Sequence, residues 1–381
     1  MQKSTIWAVF TFLVMVLVTG AIYLYSSGLS LNLKKRELTK SGMIAVKSVP
    51  DSAQVYLNGT LTTATNGTIT DLKPGTYNLM VIKNGFVQWQ KDVEVFEQLA
   101  TDITAVLVSK TPRLEPLTSE GARAPEISPT LTKIAYFTKN GKDPGVWLLP
   151  LAGNIDVNLF KSTTNVILKD TALISFSNGE SIEWSPDEKE ILVKLKENQY
   201  YLANLQDKTF EATTSAQPTK ERWMSKVLEK RQIFLDRFSL PKNLNDIAID
   251  SETVWSPDEK KFLYREIEDG VISYKVYDLE KPLPVGEKTN YITFTTKATD
   301  PQPKVYWYSD SFHLILVEGD IAGTSKGSIY LIRIDGTNKT EIYNNTLYSD
   351  KVFPTPSGDK IVVLTSFKSD AKTDLYATGI R

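Results

Sequence analysis

The chain has 381 residues, which is enough for roughly two or three domains of ordinary size. Its 44 Lys and Arg residues balance 45 Asp and Glu residues, so no global field draws it to nucleic acid, and no nucleic-acid partner is expected. The chain has no Cys and one His, His313, which nearly excludes His-dependent triads, multi-His metal sites and thiolate nucleophiles. Any catalysis would have to use carboxylates, Tyr, Lys or Ser.

The N-terminal segment is strongly apolar, with no charged residue between Lys3 and Lys34. About twenty apolar residues at the helical rise match the core of a bilayer. The pattern predicts a short tail over residues 1–5, a transmembrane anchor over residues 6–27 and a basic linker over residues 28–41. A cleaved signal peptide is the alternative. Because basic residues follow the span, the positive-inside rule favours a cytoplasmic C-terminal part, and the sequence alone leaves the orientation open.

Residues 42–109 have the pattern of short strands separated by turns. The run from Tyr77 to Val81 alternates between two faces, which is compatible with a strand. Asn84-Gly85 is a strong hairpin signal, because both positions of that turn need positive φ. The segment is therefore expected to be a compact domain of antiparallel strands.

The same segment resembles the PEGA family, named for a Pro-Glu-Gly-Ala motif. The motif position is Pro50-Asp51-Ser52-Ala53 here, with Asp and Ser in place of Glu and Gly, and "LKPGTYNLMVIKNGF" resembles later family positions. The resemblance implies a small β-sandwich without catalytic residues, common in membrane-linked or extracytoplasmic proteins. It favours a single-pass protein of the plasma membrane whose C-terminal domains lie outside the cytoplasm.

A stretch of six identical residues, Trp-Ser-Pro-Asp-Glu-Lys, recurs with an offset of 71 residues, in "IEWSPDEKEILV" from Ile182 and "TVWSPDEKKFLY" from Thr253. Weaker copies begin at Pro125, Val305 and Val352. Each copy joins an apolar lead-in, a turn preset by Pro and capped by Ser or Asp, and an apolar strand. Such repeats predict the blades of a β-propeller.

The repeat resembles that of TolB-like propellers over residues 111–381, with Glu188 and Glu259 where that pattern has glycine. Five blades are visible and a sixth is allowed. The predicted fold class is all-β: a transmembrane helix, a PEGA-like β-sandwich, and a β-propeller of five or six blades with one helical insertion. Because an open ring would leave unpaired strand edges, residues 111–124 are expected to complete the last blade.

A helical pattern at residues 219–238 interrupts the repeats. The residues at helical spacing are Met224, Val227, Leu228, Arg231, Phe234, Leu235 and Phe238. A helix packed on a propeller flank is the simpler interpretation, since apolar stripes usually face a core. An element that docks a partner or a membrane is the alternative.

The most repeated polar and aromatic residues have structural interpretations. They are the turn aspartates Asp187 and Asp258 and the tryptophans Trp184, Trp255 and Trp307, which are expected to pack between blades. A lone His such as His313 is also more often structural. The sequence therefore predicts no catalytic, cofactor-binding or metal-binding residue, and no cofactor.

The preferred function is a membrane-anchored binding or scaffold protein, not an enzyme, whose propeller recognises a protein or a cell-envelope glycan. The loops at residues 139–145 and 319–327 are expected to contribute, because loops on rigid scaffolds usually carry recognition. The alternative is a glycosidase-like enzyme that uses two carboxylates on one propeller face. No pair of carboxylates identifies itself in the sequence.

Overall fold

The computed structural model describes residues 3–26, 29–32, 37–151, 164–367 and 372–381. The chain divides into two compact units, which are residues 1–107 with 281–288 and residues 108–280 with 289–381. We call the second the five-sheet unit.

The N-terminal segment contains a helix and a short hairpin. They are α1 (Lys3–Ser26), β1 (Leu29–Asn32) and β2 (Glu37–Lys40). A bilayer crossing requires about twenty consecutive apolar residues in a helix. Among the described residues, no helix combines the length and the hydropathy that this requires. The predicted anchor at residues 6–27, and with it the single-pass plasma-membrane localisation, is therefore wrong.

The rest of the first unit consists of two sheets around one core. Its strands are β3 (Gly42–Val49), β4 (Gln54–Leu57), β5 (Thr60–Ala64), β6 (Gly67–Leu72), β7 (Gly75–Ile82), β8 (Trp89–Val95) and β9 (Ala100–Val106). They form a three-stranded sheet in the order β6-β3-β9 and a four-stranded sheet in the order β5-β4-β7-β8. Ile44 and Val46 of the first sheet and Val55 and Val81 of the second lie in one buried cluster. Alternation along each strand therefore builds a small sandwich.

The second unit contains five four-stranded antiparallel sheets. Strand β10 (Leu114–Pro116) precedes them. The first sheet contains β11 (Arg123–Ile127), β12 (Lys133–Thr138), β13 (Gly145–Pro150) and β14 (Asn165–Lys169). The second contains β15 (Ser181–Trp184), β16 (Glu190–Lys196), β17 (Gln199–Asn204) and β18 (Thr209–Thr213). The third contains β19 (Val254–Trp255), β20 (Lys261–Glu268), β21 (Val271–Asp278) and β22 (Asn290–Lys297). The fourth contains β23 (Lys304–Trp307), β24 (His313–Glu318), β25 (Lys326–Arg333) and β26 (Thr340–Thr346), and the fifth contains β27 (Val352–Pro354), β28 (Lys360–Thr365) and β29 (Asp374–Gly379).

The fifth sheet is completed by β10, which pairs with β29 in the order β10-β29-β28-β27. Leu114 lies opposite Thr378, and Pro116 lies opposite Tyr376. The expected pairing of the N-terminal segment with the last blade is therefore present. Each sheet is itself open, since its two edge strands do not pair with each other. The fold class is corrected accordingly to an all-β fold of many open sheets, without the transmembrane helix.

Each copy of the repeated motif forms the turn between the first two strands of a sheet. Ser185 Oγ donates a hydrogen bond to Asp187 Oδ1 at 2.7 Å, which closes the turn on itself. The next position adopts a left-handed conformation, with φ of 56° at Glu188 and 55° at Glu259. Gly358 has φ of 65° at the same position of the last copy. Glycine adopts this conformation without strain, which explains why the family pattern has it there.

Contacts join successive sheets. Thr130 N–H donates to Glu188 Oε1 at 2.7 Å between the first and second sheets, and Asp258 N–H donates to Ser311 Oγ at 3.2 Å between the third and fourth. The hydroxyl of Tyr308 in the fourth sheet donates to a carbonyl in the fifth. A shared apolar cluster joins the fifth sheet to the first. Contacts therefore join the first sheet to the second, and the third through the fourth and fifth back to the first.

Helices join the second sheet to the third. The predicted insertion consists of α2 (Gln217–Leu235) followed by α3 (Lys242–Ile249), which the sequence did not indicate. Trp223 Nε1 donates to Glu190 Oε2 in the second sheet at 2.9 Å, and Lys230 pairs with Glu259 in the third at 2.7 Å. The insertion therefore packs on the sheets. The remaining elements are a 3-10 turn (Phe176–Asn178) and α4 (Ile321–Thr324).

Replacing residues 114–117 with alternating Gly and Ser should lower the melting temperature by on the order of 10 °C, because the last sheet would lose an edge strand. Glu115→Gln is the matched control, since it keeps the strand and loses only the ion pair with Lys360 at 2.7 Å. Differential scanning calorimetry of the full chain measures both. Equal shifts for the two variants would show that β10 does not support the fold.

Asp310 should stabilise the fold only where it is ionised. Burial raises its pKa, but His313 Nδ1 at 2.7 Å and backbone N–H donors outweigh burial and hold the pKa below its ordinary value. A carboxyl with a depressed folded pKa contributes stability above its unfolded pKa of about 4, and the contribution is lost as the pH falls through the folded pKa. Asp310→Asn should therefore destabilise the chain by about 1–3 kcal/mol at pH 7. In urea unfolding the difference should shrink by pH 3, and a constant difference would contradict this role.

Candidate functional site

Two kinds of loop emerge at the same end of the five-sheet unit. In an antiparallel four-stranded sheet, the loop after the second strand and the connection after the fourth leave from one edge. The predicted recognition loops, residues 139–145 and 319–327, both follow a second strand. The structure places each beside a cavity, the first at about 260 Å³ and the second at about 1550 Å³.

The larger cavity, which we call the groove, lies among the third sheet, the fourth sheet and the connection that leads to the fifth. Its lining comes mainly from residues within 294–304, 316–325 and 348–350. Ligand pockets for small molecules have volumes of about 300–1,000 Å³. The groove is larger, and its size suits a segment of a macromolecule.

One wall of the groove is fixed by Gln302. Its amide nitrogen donates to the carbonyls of Lys297 at 2.8 Å and Asp300 at 2.7 Å. Its amide oxygen accepts hydrogen bonds from the hydroxyls of Tyr274 at 3.2 Å and Thr296 at 2.5 Å. The loop after β22 is therefore held by side-chain contacts and is ordered before any ligand binds.

The opposite wall contains α4. Asp320 Oδ1 caps this short helix by accepting the N–H of Gly323 at 2.9 Å. Gly319 has φ of 121°, and a Cβ there would lie 2.5 Å from the carbonyl oxygen of Lys326. Only glycine fits this close approach, so the sharp exit from β24 depends on it.

The groove carries four carboxylates and three lysines. Two pairs neutralise each other: Lys339 lies 2.8 Å from Glu318, and Lys304 lies 3.9 Å from Asp350. The other acids, Asp300 and Asp320, have no ion-pair partner among the described residues. Exposed apolar area comes from Tyr348 and Val271, which are 41% and 40% exposed. The surface is therefore mixed, with a slight excess of negative charge.

The smaller cavity, which we call the seam cavity, lies between the first sheet and the segment after β10. It is lined by residues 116–120, Tyr136, Thr138, residues 140–142, Trp147 and Thr164. Tyr136 and Trp147 are directly opposed on β12 and β13, so both side chains project from the same face of the sheet. Residues 116–120 of the lining continue from β10, so the strand that completes the fifth sheet also leads into one wall of this cavity.

The innermost strands carry two neighbouring carboxylates, Glu126 and Glu183. Burial raises the pKa of Glu126, Lys351 opposes this increase, and Glu183 adds to it. Glu126 forms an ion pair with Lys351, and Glu183 lies 2.7 Å from Lys220. These two carboxylates are the structure's nearest match to the pair that the glycosidase alternative needs. Each carboxylate is paired with its own lysine. A glycosidase needs one carboxyl as a free acid and the other as a free nucleophile, and these ion pairs do not favour that arrangement.

The residues that the sequence singled out have structural contacts. Asp258 accepts a hydrogen bond from Ser256 Oγ at 2.6 Å, which repeats the Asp187 turn. His313 is 3% exposed and pairs with Asp310. Neither repeated aspartate lines the groove or the seam cavity.

The three tryptophans each donate an indole hydrogen bond to the preceding element. Trp184 donates to the carbonyl of Glu126 in the first sheet at 3.1 Å, and Trp307 donates to that of Val254 in the third at 2.8 Å. Trp255 donates to Ala248 of α3 at 2.8 Å. Trp184 and Trp307 therefore lie between successive sheets as predicted, whereas at Trp255 the helical insertion takes the place of the neighbouring sheet.

Other ionisable residues could not be found from the sequence. Lys261 is fully buried, with its Nζ 3.5 Å from Asp278 and 4.3 Å from the Phe312 ring centre. The sequence gives no signal that Lys261 is buried. The equivalent residue of the other strong copy of the motif is Glu190, which is partly exposed. Among the described residues, no group of three or more His, Asp or Glu side chains is placed to hold a metal ion.

Comparison with known proteins finds a family match for part of the chain. Residues 41–111 match the PEGA domain family. No curated protein matches the chain.

Several solved structures are similar at low identity. TolB from Acinetobacter baumannii is 16% identical, covering 95% of this chain and 68% of its own, with a TM-score of 0.27. The Cps50 (Swd1) β-propeller domain of Myceliophteria thermophila is 12% identical, covering 70% of this chain and 86% of its own, with a TM-score of 0.30. Oligogalacturonate lyase from Vibrio parahaemolyticus is 9% identical, covering 72% and 95%, with a TM-score of 0.29. These scores are too low to transfer any function. The chain thus contains a match to the PEGA domain family over residues 41–111, and its neighbours among solved structures include TolB and WD40-type propellers.

Proposed function

We propose that the chain is a binding protein whose groove holds an extended segment of a protein partner, and that it performs no reaction. The observation that carries the proposal is the volume of the groove, about 1550 Å³, which exceeds that of ordinary small-molecule pockets. A protein segment fills such a volume with a continuous backbone and several side chains.

The walls of the groove support this proposal. The Gln302 contacts order one wall in advance, which reduces the entropy lost on binding. Tyr348 offers exposed aromatic surface, the type of residue that often dominates interface energies. The carboxylates of Asp300 and Asp320 favour a segment that carries Lys or Arg among apolar residues.

Cell-envelope glycans are the second candidate partner, and the enzyme is the competing class. A glycan groove usually presents several aromatic faces, whereas Tyr348 is the one strongly exposed aromatic side chain among the described residues of this groove. An enzyme would use Glu126 and Glu183, which are paired with lysines and do not line the groove.

Charge reversal in the groove should weaken binding of basic, apolar peptides to the full chain. Asp300→Lys should weaken binding at least about fivefold, because it replaces an attraction with a repulsion. The matched control is Asp207→Lys, an exposed aspartate outside the groove, which should have no effect. Tyr348→Ala should weaken binding at least about tenfold if the ring is an anchor. A peptide array followed by calorimetry on the strongest binders measures these effects.

Three results would overturn the proposal. The first is equal weakening by Asp300→Lys and Asp207→Lys. The second is binding of envelope oligosaccharides with no binding of peptides. The third is glycan turnover that is abolished by Glu126→Gln or Glu183→Gln, which would establish the enzyme.

A further inference from the structure

The seam cavity is lined by a tyrosine whose hydroxyl is available to a ligand. Tyr136 is 4% exposed and lines the cavity. Its hydroxyl forms no hydrogen bond to another described residue. It is not one of the fully buried, unpartnered polar atoms of the described residues, so it faces the space of the cavity. A ligand that occupies the cavity would hydrogen-bond to it in place of water.

The phenol keeps its proton in this environment. Burial raises the pKa of Tyr136, and the nearby carboxylates of Asp374 and Glu120 raise it further. The group is therefore a neutral hydroxyl at physiological pH, able to donate one hydrogen bond and accept others.

The second wall is the indole of Trp147. Its Nε1 donates to the carbonyl of Asp143 at 2.8 Å, which fixes the orientation of the ring. Trp147 lies opposite Tyr136 in the sheet, so an aromatic face and a hydroxyl meet at the same place. Indole faces pack against apolar C–H surfaces while leaving the polar edge of a ligand free.

The charges of the cavity lie at its mouth. Glu120, Asn140 and Lys142 are exposed, whereas Tyr136 and Thr138 are buried. Glu120 and Lys142 cancel in net charge. Thr118, which lines the cavity, donates to the carboxylate of Asp374 at 2.8 Å, so an anionic ligand group would meet negative charge inside. The aromatic and hydroxyl groups of the lining suit a neutral ligand that is rich in hydroxyls and has one apolar face.

We propose that the seam cavity binds a single neutral sugar ring, stacked on Trp147 and hydrogen-bonded to the Tyr136 hydroxyl, with Glu120 accepting from a second sugar hydroxyl at the mouth. Its volume of about 260 Å³ is large enough for one ring and too small for several. The ring is either a free monosaccharide or the end of a glycan chain. The site is independent of the groove, since the two cavities share no lining residue.

Saturation-transfer NMR and calorimetry on the full chain test the proposal. The probes are free glucose, galactose, mannose and N-acetylglucosamine, with glycine and inorganic phosphate as charged comparisons. We expect at least one sugar to bind and neither charged probe to bind. A methyl glycoside that binds as well as its free sugar would indicate the end of a glycan chain, and one that fails would indicate a free monosaccharide.

Tyr136→Phe separates a ligand-binding role from a structural one. It should weaken sugar binding about five- to tenfold, the effect of one lost hydrogen bond. It should leave the melting temperature unchanged or slightly raised, because the hydroxyl has no protein partner to lose. The matched control is Tyr343→Phe, whose hydroxyl donates to the carbonyl of Thr346 at 2.8 Å outside the cavity. The control should lower the melting temperature and keep sugar binding.

The proposal fails if no sugar binds at tens of millimolar, or if Tyr136→Phe and wild type bind equally. It also fails if glycine or phosphate binds in place of sugar. Failure of the peptide experiments on the groove would leave these results unaffected, because Asp300 and Tyr348 lie outside the seam cavity.

Discussion

The pairing of β10 with β29 is the contact on which the five-sheet unit depends. It joins segments more than 250 residues apart, and Asp374 reinforces it by accepting hydrogen bonds from Thr118 Oγ1 at 2.8 Å and Gly121 N–H at 2.9 Å. Without it, β29 would be an unpaired edge at the C-terminal end of the unit. The same segment forms a wall of the seam cavity, so one long-range contact supports both the last sheet and a candidate site.

The repeated turn explains how a regular scaffold can carry varied loops. Ser185 and Asp187 form hydrogen bonds within their own turn, and Ser256 and Asp258 repeat this geometry in the next sheet. These turns leave from one edge of each sheet, while the groove and the seam cavity are built mainly at the other. Because the repeated turns fix the geometry at one edge of each sheet, the residues of the loops at the other edge can differ from sheet to sheet.

Ion pairs join elements of the five-sheet unit, and its candidate binding surfaces carry charged groups as well. The pairs at Glu126 and Glu183 link neighbouring elements and are partly exposed. The Lys261–Asp278 pair is fully buried within the third sheet, so removing one partner would leave an uncompensated charge. The candidate surfaces combine charged groups such as Asp300 with the ring of Tyr348 in the groove, and the seam cavity adds the neutral hydroxyl of Tyr136.

The sequence by itself determined the features that depend on local chemistry. The Trp-Ser-Pro-Asp turns, the alternation of strands and the tight hairpins are encoded over a few residues, so the repeats and the two-sheet domain could be predicted. Its apolar N-terminal stretch misled, since composition alone gave the anchor that the structure does not support. Only the tertiary structure brought together the residues of the candidate sites. Tyr136 has no motif, and it lines the seam cavity because β10 pairs with β29 and leads residues 116–120 past the first sheet. Long-range contacts of this kind bring together residues whose spacing in the chain carries no signal.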